Sequence, residues 1–289
     1  MRLKETHIVP IQNIPIRLSD YARTIFVSIP SRAGIKKAIK KKYVKVNGNI
    51  AQTATLLNGG EKIELFGLID TKPVFKLSLD IVYEDNYLAV VYKPAGLLVS
   101  GNKFQTLENS LPFNLSKSEE PDALLNPLPV HRLDYPTTGL LIIGKTASCV
   151  IALKHMFEYK QIQKKYIAVT QGKMMSEGII NTPIDDKESI SEYKLLISLK
   201  SDRYNFLNLI ELNPKTGRRH QLRKHLASIG TPIFGDIDYG IEDLIAKGNG
   251  LYLHASKLQF THPVTQKKII LEAELPKKFK RLFGESLTK

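Results

Sequence analysis

The sequence predicts an α+β fold with a mixed, largely antiparallel central sheet and flanking helices, preceded by a small α+β N-terminal domain. Three observations lead there. Long β-rich segments follow one another in consecutive pairs with few helical stretches between them, the pattern of an antiparallel or mixed sheet. Near the N-terminus a basic helix, an Asn-Gly turn and a further strand make a compact unit of their own. Finally, 289 residues suffice for two unequal cores.

Residues 1–15 read as an N-terminal extension and 16–66 as the small domain. Within IPSRAGIKKAIKKKYVKVNGNI, Ser31 is the expected helix cap, and Ile35, Ala38 and Ile39 supply an inward stripe. Asn47-Gly48 turns the chain between two short strands, and GGEKIEL adds another turn and strand. Residues 67–78 read as a linker and 79–275 as the larger domain. IVYEDNYLAVVYKPAGLLV gives two strands about an Asp85-Asn86 turn. GLLIIGK is a strand, followed by a helix with Cys149, Leu153 and Phe157 on one face. KKYIAVTQG, EYKLLISL and FLNLIEL are further strands. RRHQLRKHLASIG is a helix with Leu222, Leu226 and Ile229 inward and Arg223 on the flank of that stripe, ended by Gly230. LYLHASKLQF and KKIILEAEL pair across a His262-Pro263 turn, and 276–289 is a basic tail.

Forty-two basic residues against 28 acidic ones leave a formal charge of +14, which favours polyanionic partners. Nucleic acid is placed ahead of a membrane surface: no amphipathic basic helix carries a Trp or Phe anchor, and no apolar run approaches the roughly 20 residues of a span. The single cysteine, Cys149, excludes an internal disulfide framework and fits a reducing compartment. With no apolar leader in MRLKETHIVP, the expected location is cytoplasmic. In the small domain Arg32, Lys36, Lys37, Lys40, Lys41 and Lys42 crowd one helix, with Lys45 on the next strand and no acid between. A mixed-sign surface would solvate a helix with less self-repulsion, so the single sign points to phosphate tracking.

Two motifs overlap in HRLDYPTTGLLIIGKT, residues 131–146. GLLIIGKT fits the written pattern of a phosphate-binding loop. Such a loop must curl its backbone N–H groups around an anion, and Leu140, Leu141, Ile142 and Ile143 instead demand a buried strand. Nucleotide triphosphate hydrolysis is therefore set aside. Asp134 lies in the polar turn before that strand, where its side chain can project over the sheet beside His131 and Arg132. The bland reading is a turn aspartate bonding its own backbone.

HRLDYPTTGLLIIGKT resembles the signature of the RluA-type pseudouridine synthases, which runs His-Arg-Leu-Asp, two variable residues, Thr-Ser-Gly and an apolar strand. KPAGLLV, KKYIAVTQG, PKTGRRHQLRKHLASIGTPIFGDIDYG and LHASKLQFTHPVTQKK are similar to further family blocks in the same order. Thr138 stands where Ser is usual, and the hydroxyl is kept. The N-terminal IPSRAGIKKAI, VKVNGN and GGEKIEL resemble the alpha-L RNA-binding module of the S-four ribosomal type, with Gly60-Glu61 for the usual Gly-Asp.

The resemblance implies isomerisation of uridine to pseudouridine within RNA, with no cofactor and no metal. Asp134 matches the catalytic aspartate, Arg223 the arginine that pairs with it, and Tyr166 the tyrosine that packs on the target base. Arg132 is the group expected to enter the gap left by an extruded base, or to hold phosphate, with His131 supporting the turn. Lys93, Thr138 and Arg219 complete the expected substrate contacts. His220, His225 and His254 lack ligand spacing and read as structural or phosphate-facing. Ribosomal RNA is favoured over transfer RNA as the partner, because family members with the added module often act there. No feature demands an obligate protein partner. The rival reading is a non-catalytic RNA-binding or ribosome-assembly factor of the same fold.

Overall fold

The computed structural model describes residues 2–22, 25, 26, 29, 32–67, 74–246 and 248–284. Ser31, residues 68–73 of the expected linker and the last part of the tail lie outside the described residues. The N-terminal part contains β1 (Arg2–Ile8), β2 (Ile16–Arg17), α1 (Leu18–Tyr21), α2 (Arg32–Lys40), β3 (Val44–Val46), β4 (Asn49–Ile50), β5 (Leu56–Leu57) and β6 (Lys62–Gly67). Its main sheet has the order β1-β6-β3-β4. Residues 1–15 are therefore more than an extension. Strand β1 pairs antiparallel with β6, His7 opposite Ile63, and supplies a neighbour to a strand that would otherwise be an open edge. Ile35, Ala38 and Ile39 of α2 do point inward, into a core with Leu18, Val44, Leu57 and Ile63. Asn47 and Gly48 both take positive φ, 49° and 80°, as a two-residue hairpin turn requires.

The larger part begins with β7 (Ile81–Glu84) and β8 (Leu88–Lys93), then α3 (Leu107–Asn114), β9 (Ala123–Pro129) and β10 (Thr138–Thr146). Helix α4 (Ala147–Glu158) leads to β11 (Gln163–Gln171), β12 (Glu177–Ile180), β13 (Ser191–Ser201) and β14 (Asn205–Pro214). The chain ends with α5 (Gln221–Ser228), β15 (Leu253–Thr261), β16 (Lys268–Glu272) and α6 (Lys277–Phe283). One ten-stranded sheet holds these strands in the order β12-β13-β14-β11-β15-β10-β8-β7, with β16 beside β15 and β9 beside β10. Among the described residues every pairing of these strands is antiparallel except β10 with β15, which meet through Thr138↔His254 and Gly139↔Ala255.

That junction explains the hydrophobic run. All of β10 is buried. Leu140 and Ile142 pack with Cys149 and Leu153 of α4, while Leu141 and Ile143 face the opposite core, so both sheet faces demand apolar side chains. Thr146 caps α4 by accepting the Cys149 N–H, and the buried Lys145 pairs with Glu84 at 2.7 Å. The phosphate-loop pattern is thus a core strand and a helix cap.

Two expectations change. Ile229 is 41% exposed because α5 stops at Ser228 and Gly230 turns away with φ 75°. The expected basic tail instead forms α6, which buries Phe279 and Phe283, the former with its ring 5.2 Å from that of Tyr252. Aromatic spacing outweighs the lysines around it. Phe279→Ala is expected to destabilise the chain by about 3–5 kcal/mol, read as a lower urea midpoint; a midpoint equal to the wild type's would mean that α6 does not dock.

Candidate active site

Lys93 closes β8, directly opposite Gly139 in the ladder. Its side chain is fully buried, and Nζ donates to the carbonyls of Pro94, Tyr135 and Thr137 at 2.9, 3.2 and 2.8 Å. The turn of Asp134 to Thr137 is closed by the Thr137 N–H donating to the Asp134 carbonyl at 3.0 Å. Burial brings the Lys93 pKa down to about 8, with the charge of Asp134 acting in the opposite direction. The ammonium therefore pins the turn from beneath. Lys93 does not meet the cleft, and the expectation of a substrate contact there is corrected. Thr138 is corrected too, since its buried hydroxyl bonds His254 Nδ1 at 2.9 Å across the β10–β15 junction.

Above the pinned turn lies a cleft of about 1020 Å³ lined by Asp134, Arg132, Tyr166, Lys164, Arg219 and His220, among others. Asp134 comes from the turn before β10 and Tyr166 from β11, so the two halves of the sheet each contribute a wall. Tyr166 is 9% exposed, and burial, aided by the charge of Asp134, raises its hydroxyl pKa. It therefore meets the cleft as a neutral ring. His131 holds the base of the turn, its Nε2 accepting the Ile142 N–H at 2.9 Å, with its ring 4.6 Å from that of Phe157. Arg132 and Arg219 are exposed at the rim, and among the described residues neither makes an ion pair.

The expected pairing of Arg223 with Asp134 is not formed. Arg223 is 2% exposed and donates from Nε and Nη2 to Asp236, at 2.7 and 2.6 Å, and from Nη2 to Asp238 at 2.6 Å. Burial works against its charge, and the two carboxylates more than offset that, raising its pKa. A fork–fork pair of this kind satisfies a buried guanidinium better than a partly exposed carboxylate could. Asp134 instead meets the imidazole of His220, with Nε2 3.8 Å from Oδ1.

His220 precedes α5 in the left-handed region, φ 56° and ψ 24°. Its Nδ1 lies 2.9 Å from the hydroxyl of Tyr239, and the Arg223 guanidinium sits 4.9 Å from the Tyr239 ring centre. The path from Asp134 to Arg223 therefore runs through His220 and Tyr239. Sequence reasoning missed Tyr239, Asp236 and Asp238, and gave His220 a bland role. The signal available was the cluster GDIDYG close behind a basic helix in a chain of formal charge +14. His225 is structural, bonding Ser191 Oγ at 2.9 Å and the Thr182 carbonyl at 3.0 Å.

In the N-terminal part Lys36, Lys37 and Lys40 are exposed along α2, and Lys41 just beyond its end. Arg32 pairs with Asp20 at 2.8 Å, and Lys45 lies 5.0 Å from the Phe66 ring centre.

A sequence model described as RNA pseudouridylate synthase matches residues 87–228. The chain is similar to "Ribosomal large subunit pseudouridine synthase C" of Rickettsia bellii, with 33% identity covering 93% of this chain and 98% of that protein. It is also similar to "Ribosomal large subunit pseudouridine synthase D" of Buchnera aphidicola, with 31% identity over 91% of this chain and 92% of that one. Among solved structures, "Human RNA Pseudouridylate Synthase Domain Containing 4" aligns with a TM-score of 0.55 and 25% identity, covering 72% of this chain and 92% of that chain.

Burial holds the His131 pKa down to about 3, with the charge of Lys164 adding to the effect. A free histidine titrates near 6.5. Between these values the unfolded chain binds more protons, so the stability His131 contributes is complete above about pH 6.5 and is lost as pH falls toward about 3. Urea titrations at about pH 7 and about pH 4.5 check this. Wild type should lose more stability on acidification than His131→Gln, whose amide oxygen can still accept the Ile142 N–H; equal losses would refute a histidine held neutral in the folded chain.

Proposed function

The chain belongs to the RNA pseudouridylate synthase family, and from that premise we propose that Asp134 is the carboxylate that acts at the target sugar and that ribosomal RNA is the substrate. The protein is an isomerase acting on uridines in RNA. The observation that carries the site assignment is Asp134 held on a pinned turn in the same cleft as Tyr166. In the reaction the N1–C1′ bond breaks, the uracil turns, and C5 bonds to C1′. One proton leaves C5 and one is taken up at N1, so the exchange is neutral in redox and in protons.

A uridine stacked in a helix cannot bring C1′ to a carboxylate, so the nucleotide must be extruded. In this reading the ring of Tyr166 packs against the extruded base, a contribution of roughly 1–3 kcal/mol for stacking. Arg132 and Arg219, lacking ion-pair partners among the described residues, meet the flanking phosphates or fill the vacated gap. Arg223 acts at a distance: locked by Asp236 and Asp238, it supports Tyr239, which in turn bonds His220 beside Asp134. His131 and Lys93 hold the turn, and Thr138 holds the junction behind it.

The exposed lysines of α2, with Lys45, form the phosphate-tracking face of an alpha-L type module. The names of the relatives, ribosomal large subunit pseudouridine synthases C and D, favour large-subunit ribosomal RNA over transfer RNA for this chain.

Asp134→Asn should reduce tritium release from RNA carrying 5-tritiated uridine to background while RNA binding persists; appreciable turnover would count against the assignment. Replacing Lys36, Lys37, Lys40 and Lys41 together by Ala should weaken RNA binding and flatten its dependence on log salt, by roughly 0.7–0.9 for each phosphate that is no longer neutralised. An unchanged slope would remove α2 from the interface.

A further inference from the structure

We propose that His220 is a catalytic base, its Nε2 accepting the C5 proton after C5 has bonded to C1′. The inference rests on the pseudouridine reading of the cleft and deepens it by naming a residue for a step that Asp134 alone would otherwise have to perform. Four observations on the ring support it. It lines the cleft. Its Nε2 stands 3.8 Å from Asp134 Oδ1, so a base working beside the carbon that Asp134 serves is within its reach. Its Nδ1 lies 2.9 Å from the Tyr239 hydroxyl, and with Nδ1–H donating to that oxygen the free lone pair falls on Nε2, toward the cleft. Its backbone is in the left-handed region, at φ 56°, a strained position for a residue with a side chain, of the kind that gathers at working sites.

The charges around the ring favour the same assignment. Burial lowers the His220 pKa first; Asp134 raises it, while Arg223 and Arg219 lower it and Asp238 raises it. The imidazole thus starts neutral at neutral pH and can take a proton. Once protonated it becomes a cation facing the carboxylate of Asp134, which stabilises the charge as it forms. The step balances. Nε2 takes the proton, the C5–H electron pair becomes the C5–C6 double bond, and the displaced pair moves to N1. N1 then takes a proton from water, and the imidazolium returns its own to solvent.

Single-turnover kinetics test this on an unmodified transcript of large-subunit ribosomal RNA, made with uridine or with uridine deuterated at C5. The variant is His220→Asn, since Asn tolerates the left-handed backbone and keeps a donor for Tyr239; circular dichroism and RNA binding verify its fold. Wild type should turn over both transcripts at the same rate. His220→Asn should be slower by on the order of 10²-fold, and deuterium should now slow it further, because proton removal has become limiting. A folded variant with wild-type turnover, or a slow one indifferent to deuterium, overturns the inference and returns the proton to another group. A wild-type chain that forms no pseudouridine on the transcript overturns the ribosomal reading, and the inference with it, so the two failures are distinct.

Discussion

The ammonium of Lys93 is the tie on which the cleft depends. A carboxylate can approach a sugar carbon repeatably only if its backbone does not move, and a turn at the end of a strand is where backbones are least constrained. Here three carbonyls, those of Pro94, Tyr135 and Thr137, converge on one buried Nζ. Two of them belong to the turn that carries Asp134, so the cation links that turn to strand β8. Buried carbonyls left unsatisfied would each cost about 1–3 kcal/mol, which makes any other placement of the turn unfavourable. His131 performs the same service from the N-terminal side of Asp134 by accepting a strand N–H. Asp134 is thus fixed at its backbone while its carboxylate faces the cleft.

Much of this was legible in the sequence where the information is local. The Asn47-Gly48 turn and the inward stripe of α2 follow from residues within a few positions of one another. So does the rejection of the phosphate loop, because four large apolar residues in a row settle where a strand must lie. What local reading could not supply is partner choice across distance. The motif pairs Arg223 with Asp134, yet its fork is taken by Asp236 and Asp238, 13 and 15 residues downstream on a loop that folds back. Lys93 and Thr138 sit in recognisable motifs, yet nothing in a motif says whether a polar side chain points into a cleft or under it. The tail shows the same limit. PKKFKRLF looks like a solvated basic end until Phe279 finds Tyr252.

The electrostatics divide into two tasks. Inside the larger part, cations that matter to the architecture are neutralised or hydrogen-bonded: Lys93 by carbonyls, Lys145 by Glu84, Arg223 by two carboxylates. At the rim, Arg132 and Arg219 remain without ion-pair partners among the described residues, as do the exposed lysines of α2 in the N-terminal part. Paired charges hold a protein together; unpaired ones of a single sign attract a polyanion.

The parallel contact between β10 and β15 is short: two residue pairs, a threonine–histidine bond and a glycine with φ 116°. A methyl group at Gly139 would lie 2.2 Å from the carbonyl oxygen of Ala255, so the strands meet backbone to backbone. Asp134 stands on one side of this seam, and Tyr166 and His220 on the other. The seam therefore works as the hinge-pin of a vice, and its tightness gauges the gap between the jaws. Bulk added there would press on the backbone of Ala255 and spread the jaws, and with them the space left for a nucleoside.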